Sequence, residues 1–112
     1  MVVAVDRESL LLRGTLDMSL LALLARRPSH AYGLVQRLRD HGFEQTSYGT
    51  VYPLVSRLRR LGLLDQELEP GAGGPARNVL TVTPDGRKSL DEWVEQWRSV
   101  TDRIHTLLEG TA

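Results

Sequence analysis

The chain has 112 residues, 41% hydrophobic and 25% charged, with 14 basic side chains, 14 acidic ones and no cysteine. That size gives one domain with a real core and something to gain from a partner, and the composition excludes global disorder, disulfide scaffolds and thiol chemistry. The longest apolar run, Leu20 to Ala25, is too short for a bilayer, and Met1 to Asp6 lacks the parts of a signal peptide, so a cytoplasmic protein with no membrane contact is expected.

Zero net charge hides an asymmetry. Residues 26–60 hold seven arginines against Asp40 and Glu44, a net +5, whereas residues 61–112 hold five basic and nine acidic groups, a net −4. A basic middle beside an acidic tail suits a chain with one face toward phosphates and another toward something else.

Residues 1–8 have no period and read as a loose arm. Ser9 to Ala25 reads as a helix, with Leu16, Leu20, Leu23 and Leu24 on one stripe and Leu11, Gly14, Met18 and Ala22 on another side. Two apolar sides suggest burial against the chain's own domain and against a second chain. Arg26, Arg27 and Pro28 end this helix. Ser29 is the expected N-cap of a second helix, His30 to His41, with Ala31, Leu34, Val35 and Leu38 inward and Gly42 as its stop.

Phe43 to Thr46 is a connector. The stretch Ser47 to Gly62 then reads as a third helix with Val51, Leu54, Val55, Leu58 and Leu61 on the core face. Tyr48, Tyr52, Ser56 and Arg59 lie outward, with Arg57 and Arg60 at the margins. Arginines suit guanine edges or phosphates, and hydroxyls suit phosphate oxygens. Pro53 leaves two options: a helix that starts near Gly49 or Thr50, or one that starts at Ser47 with a bend. A charged outer face is by itself ordinary solvated surface. Two short helices, a brief link and a third helix with a basic outer face nonetheless make a helix-turn-helix pattern.

Leu63 to Glu69 and Arg77 to Thr83 are strand-like runs around a glycine and proline cluster, which predicts a β-hairpin with a mobile tip. Asp65, Glu67 and Glu69 alternate toward water. Directly after a helix-turn-helix such a hairpin is a wing, with Arg77 near a phosphate; a plain surface hairpin is the alternative. Thr83 and Pro84 open a last helix along which Leu90, Trp93, Trp97, Val100, Ile104 and Leu107 recur every three or four residues, with Val94 and Leu108 beside them. So long a seam calls for a second copy of the chain, as a twofold homodimer. Gly110 ends it.

The expected fold is mainly α with a small β-hairpin. Residues 1–14 form an N-terminal arm and the start of the first helix, 15–83 a winged helix-turn-helix and 84–110 a C-terminal dimerisation helix. No catalysis, cofactor or metal is expected, since His30, His41 and His105 are scattered without partners at metal-ligand spacing and the glycines at 71–74 precede a strand.

With these elements placed, the chain resembles the PadR family of bacterial transcriptional regulators from about Leu12 to Glu109. The resemblance rests on Arg13-Gly14-Thr15-Leu16-Asp17, Ala31-Tyr32-Gly33, Gly49-Thr50-Val51-Tyr52-Pro53-Leu54, Arg57-Leu58, Leu61-Gly62-Leu63, Gly73-Gly74-Pro75-Ala76-Arg77 and Leu80-Thr81-Val82-Thr83-Pro84-Asp85-Gly86. It implies a dimeric repressor that binds a near-palindromic operator in double-stranded DNA and releases it on a signal. DNA contacts are expected from Thr46, Ser47, Tyr48, Thr50, Tyr52, Ser56, Arg57 and Arg59, with His30, Tyr32 and Arg77 in support. The chain is similar to the smaller branch of the family, whose multidrug-sensing members take flat aromatic compounds in a pore at the dimer centre, stacked on a tryptophan from each terminal helix. Trp97 falls on that position and Trp93 lies nearby. Leu11, Gly14, Met18 and Ala22 match pore-lining positions, with Val100, Thr101 and Ile104 beyond.

Two departures bear on function. Asn78, Val79 and Leu80 stand where the wing usually carries a lysine and aromatics, which implies a weaker grip on phosphate. Thr101 stands where drug-binding relatives can carry an acid, so a neutral or anionic aromatic fits as well as a cation. The rival readings are a winged-helix protein-interaction module and a ligand-sequestering protein without DNA binding.

Overall fold

The first helix, α1 (Arg7–Arg26), begins inside what reads as a loose arm. The reason is Asp6, whose carboxylate accepts from the Glu8 amide at 3.1 Å and the Ser9 hydroxyl at 2.7 Å, satisfying donors that a helix start leaves free. The computed structural model describes residues 6–69 and 77–110. Leu16, Leu20, Leu23 and Leu24 are buried as the leucine spacing predicts, and Leu21, off that stripe, is fully buried too. Contact with α2, β3 and α4 encloses α1 on more than one side.

Residues Ser29–His30 form a two-residue strand, β1, where the sequence reads as a helix cap. It pairs antiparallel with β3 through Ser29↔Leu80 and His30↔Val79. The backbone is still extended at His30, so α2 (Ala31–Asp40) starts one residue later than expected, with His30 as a cap that supplies no side-chain bond. Leu34, Val35 and Leu38 face the core. Gly42 at φ +92° reverses the chain, and the Phe43 amide returns to the Leu38 carbonyl at 3.0 Å.

Helix α3 (Tyr48–Arg60) starts directly after Ser47, whose hydroxyl accepts from the Thr50 amide. Pro53 is thus inside the helix, past its first turn, so the later start near Gly49 or Thr50 is excluded. The row Gly49, Pro53, Ser56 and Arg60 is the one opposite the buried Val51, Val55 and Leu58. The carbonyl that Pro53 leaves without a helical donor therefore belongs to an exposed residue, Gly49. Leu61, expected in the core, is 58% exposed. It caps the helix, Gly62 at φ +76° turns the chain, and Leu63 and Leu64 take the buried positions instead.

The wing strands β2 (Leu64–Glu69) and β3 (Arg77–Val82) pair antiparallel from Leu64↔Val82 to Glu69↔Arg77, giving a three-stranded sheet in the order β1-β3-β2. Its expected mobile tip, 70–76, and the side chain of Arg77 lie outside the described residues. Thr83 joins sheet to helix by donating to the Gly62 carbonyl at 2.7 Å while accepting from the Gly86 amide at 2.9 Å. That opens α4 (Pro84–Leu108), 25 residues long. Leu90 and Trp93 pack partly buried against the chain's own core, so the inner part of the predicted seam is used within one subunit. Beyond them the seam is bare: Trp97 is 46% exposed, Leu107 79% and Leu108 75%, with Val100 and Ile104 also exposed.

Candidate nucleic-acid interface and effector groove

On the outer side of α3, Tyr48 and Tyr52 are exposed one helical turn apart. Their rings stack with centroids 5.5 Å apart and planes 30° apart. They line a 500 Å³ cleft together with His30, Tyr32, Gln66 and Asn78. Gln66 and Asn78 do not stand out in the sequence. The signal for them is strand register: Gln66 pairs with buried Leu80, and Asn78 with Leu68, which puts both amides on the sheet face toward α3. The carboxylates of Asp65, Glu67 and Glu69 alternate onto the opposite face and are exposed, as expected.

Arg57, Arg59 and Arg60 are exposed at the C-terminal end of α3, and their side chains make no hydrogen bond or ion pair among the described residues. Arg59 and Arg60 line a 420 Å³ cleft with Ser56, which is half-buried against β2. His30 Nε2 lies 3.8 Å from a Glu69 oxygen, an ion pair only when the imidazole is protonated, and has no hydrogen-bond partner among the described residues.

Two of the expected DNA contacts, Thr46 and Ser47, are held by the fold itself. Thr46, the last residue of the connector, is 7% exposed, and its side chain is withdrawn from the surface. Ser47 is exposed, but its hydroxyl is engaged in the cap and lies 3.1 Å from the Thr50 hydroxyl. Two of the seven arginines in the basic middle, half-buried Arg37 and exposed Arg39, are engaged by the chain's own carbonyls. Arg37 donates to the Leu23 carbonyl at 2.7 Å and the Arg27 carbonyl at 3.2 Å, and Arg39 to the Thr46 carbonyl at 2.8 Å. Burial, then the nearby charges of Arg27 and Arg26, hold the Arg37 guanidinium below its usual pKa.

A separate groove of 470 Å³ lies between α1 and α4. It gathers Leu11, Gly14, Met18, Trp93, Trp97, Val100 and Ile104, seven of the nine predicted effector residues. Ala22 is not among them: further along α1, it lines a different cleft with Ser19, Arg26, His41 and Phe43. Thr101 is also absent, its hydroxyl turned back to the Trp97 carbonyl at 2.9 Å. Asp17 lines the groove instead, half-buried, with the Met18 amide as its donor and no cation paired to it among the described residues. The sequence places an acid on α1 here, although a comparison at position 101 alone finds none.

A family model described as the transcriptional regulator PadR-like family matches residues 20–92. The chain belongs to the PadR-like family. Its fold superposes on a PadR-like regulator from Bacillus cereus with a TM-score of 0.82 and 30% identity, covering 90% of this chain and 98% of that one. A PadR family regulator from Eggerthella lenta gives a TM-score of 0.82 at 37% identity, with 93% of each chain covered. The Mycobacterium tuberculosis transcriptional regulator Rv3488 is 38% identical over 80 residues, which is 71% of this chain and 73% of that protein. PadR regulators are non-enzymatic transcription regulators of winged helix-turn-helix fold that bind DNA, typically as dimers. No helix among the described residues is long and apolar enough to cross a membrane.

Proposed function

We propose that two copies of this chain pair through the outer part of α4 and bind a near-palindromic operator as a cytoplasmic ligand-responsive repressor. One observation carries the reading. A bare apolar row from Trp97 to Leu108 shares a chain with a helix whose three terminal arginine side chains have no partner among the described residues. A twofold partner covers the row with the same residues, and the two α3 helices then stand about 34 Å apart, one turn of duplex. Helix α3 enters the major groove, with Tyr48, Thr50, Tyr52 and Ser56 near DNA. Arg57 and Arg59 take base edges or phosphates, His30 and Tyr32 support the backbone contacts, and Arg77 reaches in from the wing. The test is a mobility shift on the gene's own promoter across a salt series. Log affinity should fall by about 0.9 per decade of salt for each neutralised phosphate. Binding that ignores salt sinks the reading.

The effector is a planar aromatic molecule held in the α1–α4 groove, as in the smaller branch of the family. Trp97 offers a stacking face and Met18 a wall that adapts its shape. The carboxylate of Asp17, with no cation paired to it among the described residues, favours a cationic aromatic over a neutral one. Such a compound should quench tryptophan fluorescence and release the operator, and Asp17→Asn should weaken cationic dyes but not neutral ones. Quenching by a protein that never shifts DNA would favour the sequestering role instead.

A further inference from the structure

Resting on that reading, we infer that Arg39 is a positioning residue: it ties the chain just ahead of α3 and so sets the pose of the helix that reads DNA. The turn after α2 is closed in steps. The Phe43 amide bonds the Leu38 carbonyl, the Thr46 amide bonds the Phe43 carbonyl at 3.1 Å, and the Ser47 carbonyl takes the first bonds of α3 from Thr50 and Val51. The Thr46 carbonyl, one residue earlier, lies outside the helical ladder and belongs to a buried residue. Its partner is Arg39 Nε at 2.8 Å, from the last turn of α2. The bond is partly buried, and a carbonyl shielded from water is costly to leave without a donor, so this bond favours one arrangement of the turn. Helix α3 is a rod, and a tilt at Ser47 is carried about 18 Å along it to Arg59.

By charge alone, Arg39 is one more cation in a basic stretch and a candidate phosphate contact. Its hydrogen bond separates the two roles, because the atom engaged is Nε. A glutamine at 39 places its amide nitrogen the same number of bonds from the backbone, with a donor but no charge. A methionine has similar length and no donor.

The experiment compares wild type, Arg39→Gln and Arg39→Met on operator and random duplex over a salt series. The expected result is that Arg39→Gln keeps the operator preference while Arg39→Met loses about tenfold of it, both with the salt slope of the wild type and with equal affinity for random DNA. Amide exchange at Thr50 and Val51 should quicken in Arg39→Met while the amides of α1 stay protected. Equal losses in the two variants, with the slope lower by about one unit, would make Arg39 a phosphate contact and overturn the proposal. An Arg39→Met protein indistinguishable from wild type would overturn it too. If the wild type itself shows no operator preference, the repressor reading fails; exchange at Thr50 and Val51 then decides the tie alone, quickened exchange supporting it and unchanged exchange ending it.

Discussion

Gly49 and Gly86 both sit in the first turn of a helix, for different reasons. A Cβ at Gly86 would run into the Leu63 carbonyl oxygen and come within 2.8 Å of Val82 Cγ1, so only glycine lets α4 start this close to the strands. Gly86→Ala should cost about 1–3 kcal/mol, read as a lower melting temperature. At Gly49 an added Cβ would meet nothing nearer than the Ser47 hydroxyl at 3.7 Å, an ordinary contact. There alanine should stabilise the helix by up to about 1 kcal/mol. The methyl would project from the outward row of α3, where a DNA surface would approach. Gly49→Ala should therefore raise the melting temperature and weaken operator binding together. A stabilised variant with full affinity would remove Gly49 from the interface. Asp6 supplies a pH test of the α1 start. The Ser9 hydroxyl first, then the Ser9 and Glu8 amides, hold its carboxyl below the ordinary value of 3.8. A lowered folded value means that the cap stabilises above the unfolded value and is lost as pH falls through the folded one. The amide resonances of Glu8 and Ser9 should titrate with a midpoint below 3.8, and a midpoint above it would contradict the cap.

At the scale of elements, α4 is the most informative helix. Ile104 is exposed beyond the part of α4 that packs on its own core, so Ile104→Asp should leave the helical far-ultraviolet signal intact while shifting sedimentation from dimer to monomer and abolishing the operator shift. A variant that stays dimeric would place the interface elsewhere. The recurrence of apolar residues from Leu90 to Leu107 is plain in the sequence. What covers each one is not, because spacing defines a face and says nothing of what lies opposite. Leu90 and Trp93 went to the chain's own core, and Trp97 onward did not. The same limit explains β1, where two residues are too few to show a period and Ser29 has the chemistry of a cap. It explains Leu61 as well, which keeps the helical spacing but sits where the chain is already turning at Gly62. The hairpin was legible as two runs around a turn, whereas the approach of Gln66 and Asn78 to the tyrosines required the strand register. One groove gathers seven of the nine residues expected around an effector because α1 and α4 pack side by side; Ala22, further along α1, lies outside it.

For the whole molecule, the count of charges and their geometry give different DNA footprints. Seven arginines lie between residues 26 and 60, but Arg37 and Arg39 donate to the chain's own carbonyls, whereas the side chains of Arg57, Arg59 and Arg60 have no partner among the described residues. Long-range attraction counts every cation, whereas counterion release on tight binding counts those that reach a phosphate. The two contributions separate in a matched pair of variants. Arg59→Ala should leave the melting temperature near wild type and lower the salt slope by about 0.9 if it grips a phosphate. Arg37→Ala should behave oppositely. Its guanidinium joins the end of α1 to α2 through the Leu23 and Arg27 carbonyls, so removing it uncovers those acceptors and lowers the melting temperature, with the slope unchanged. Both variants remove one positive charge, so any effect of net charge cancels between them. If they lowered the slope equally, binding would follow the overall field of the basic segment, and the assignment of the DNA-facing surface to the outer side of α3 would fail.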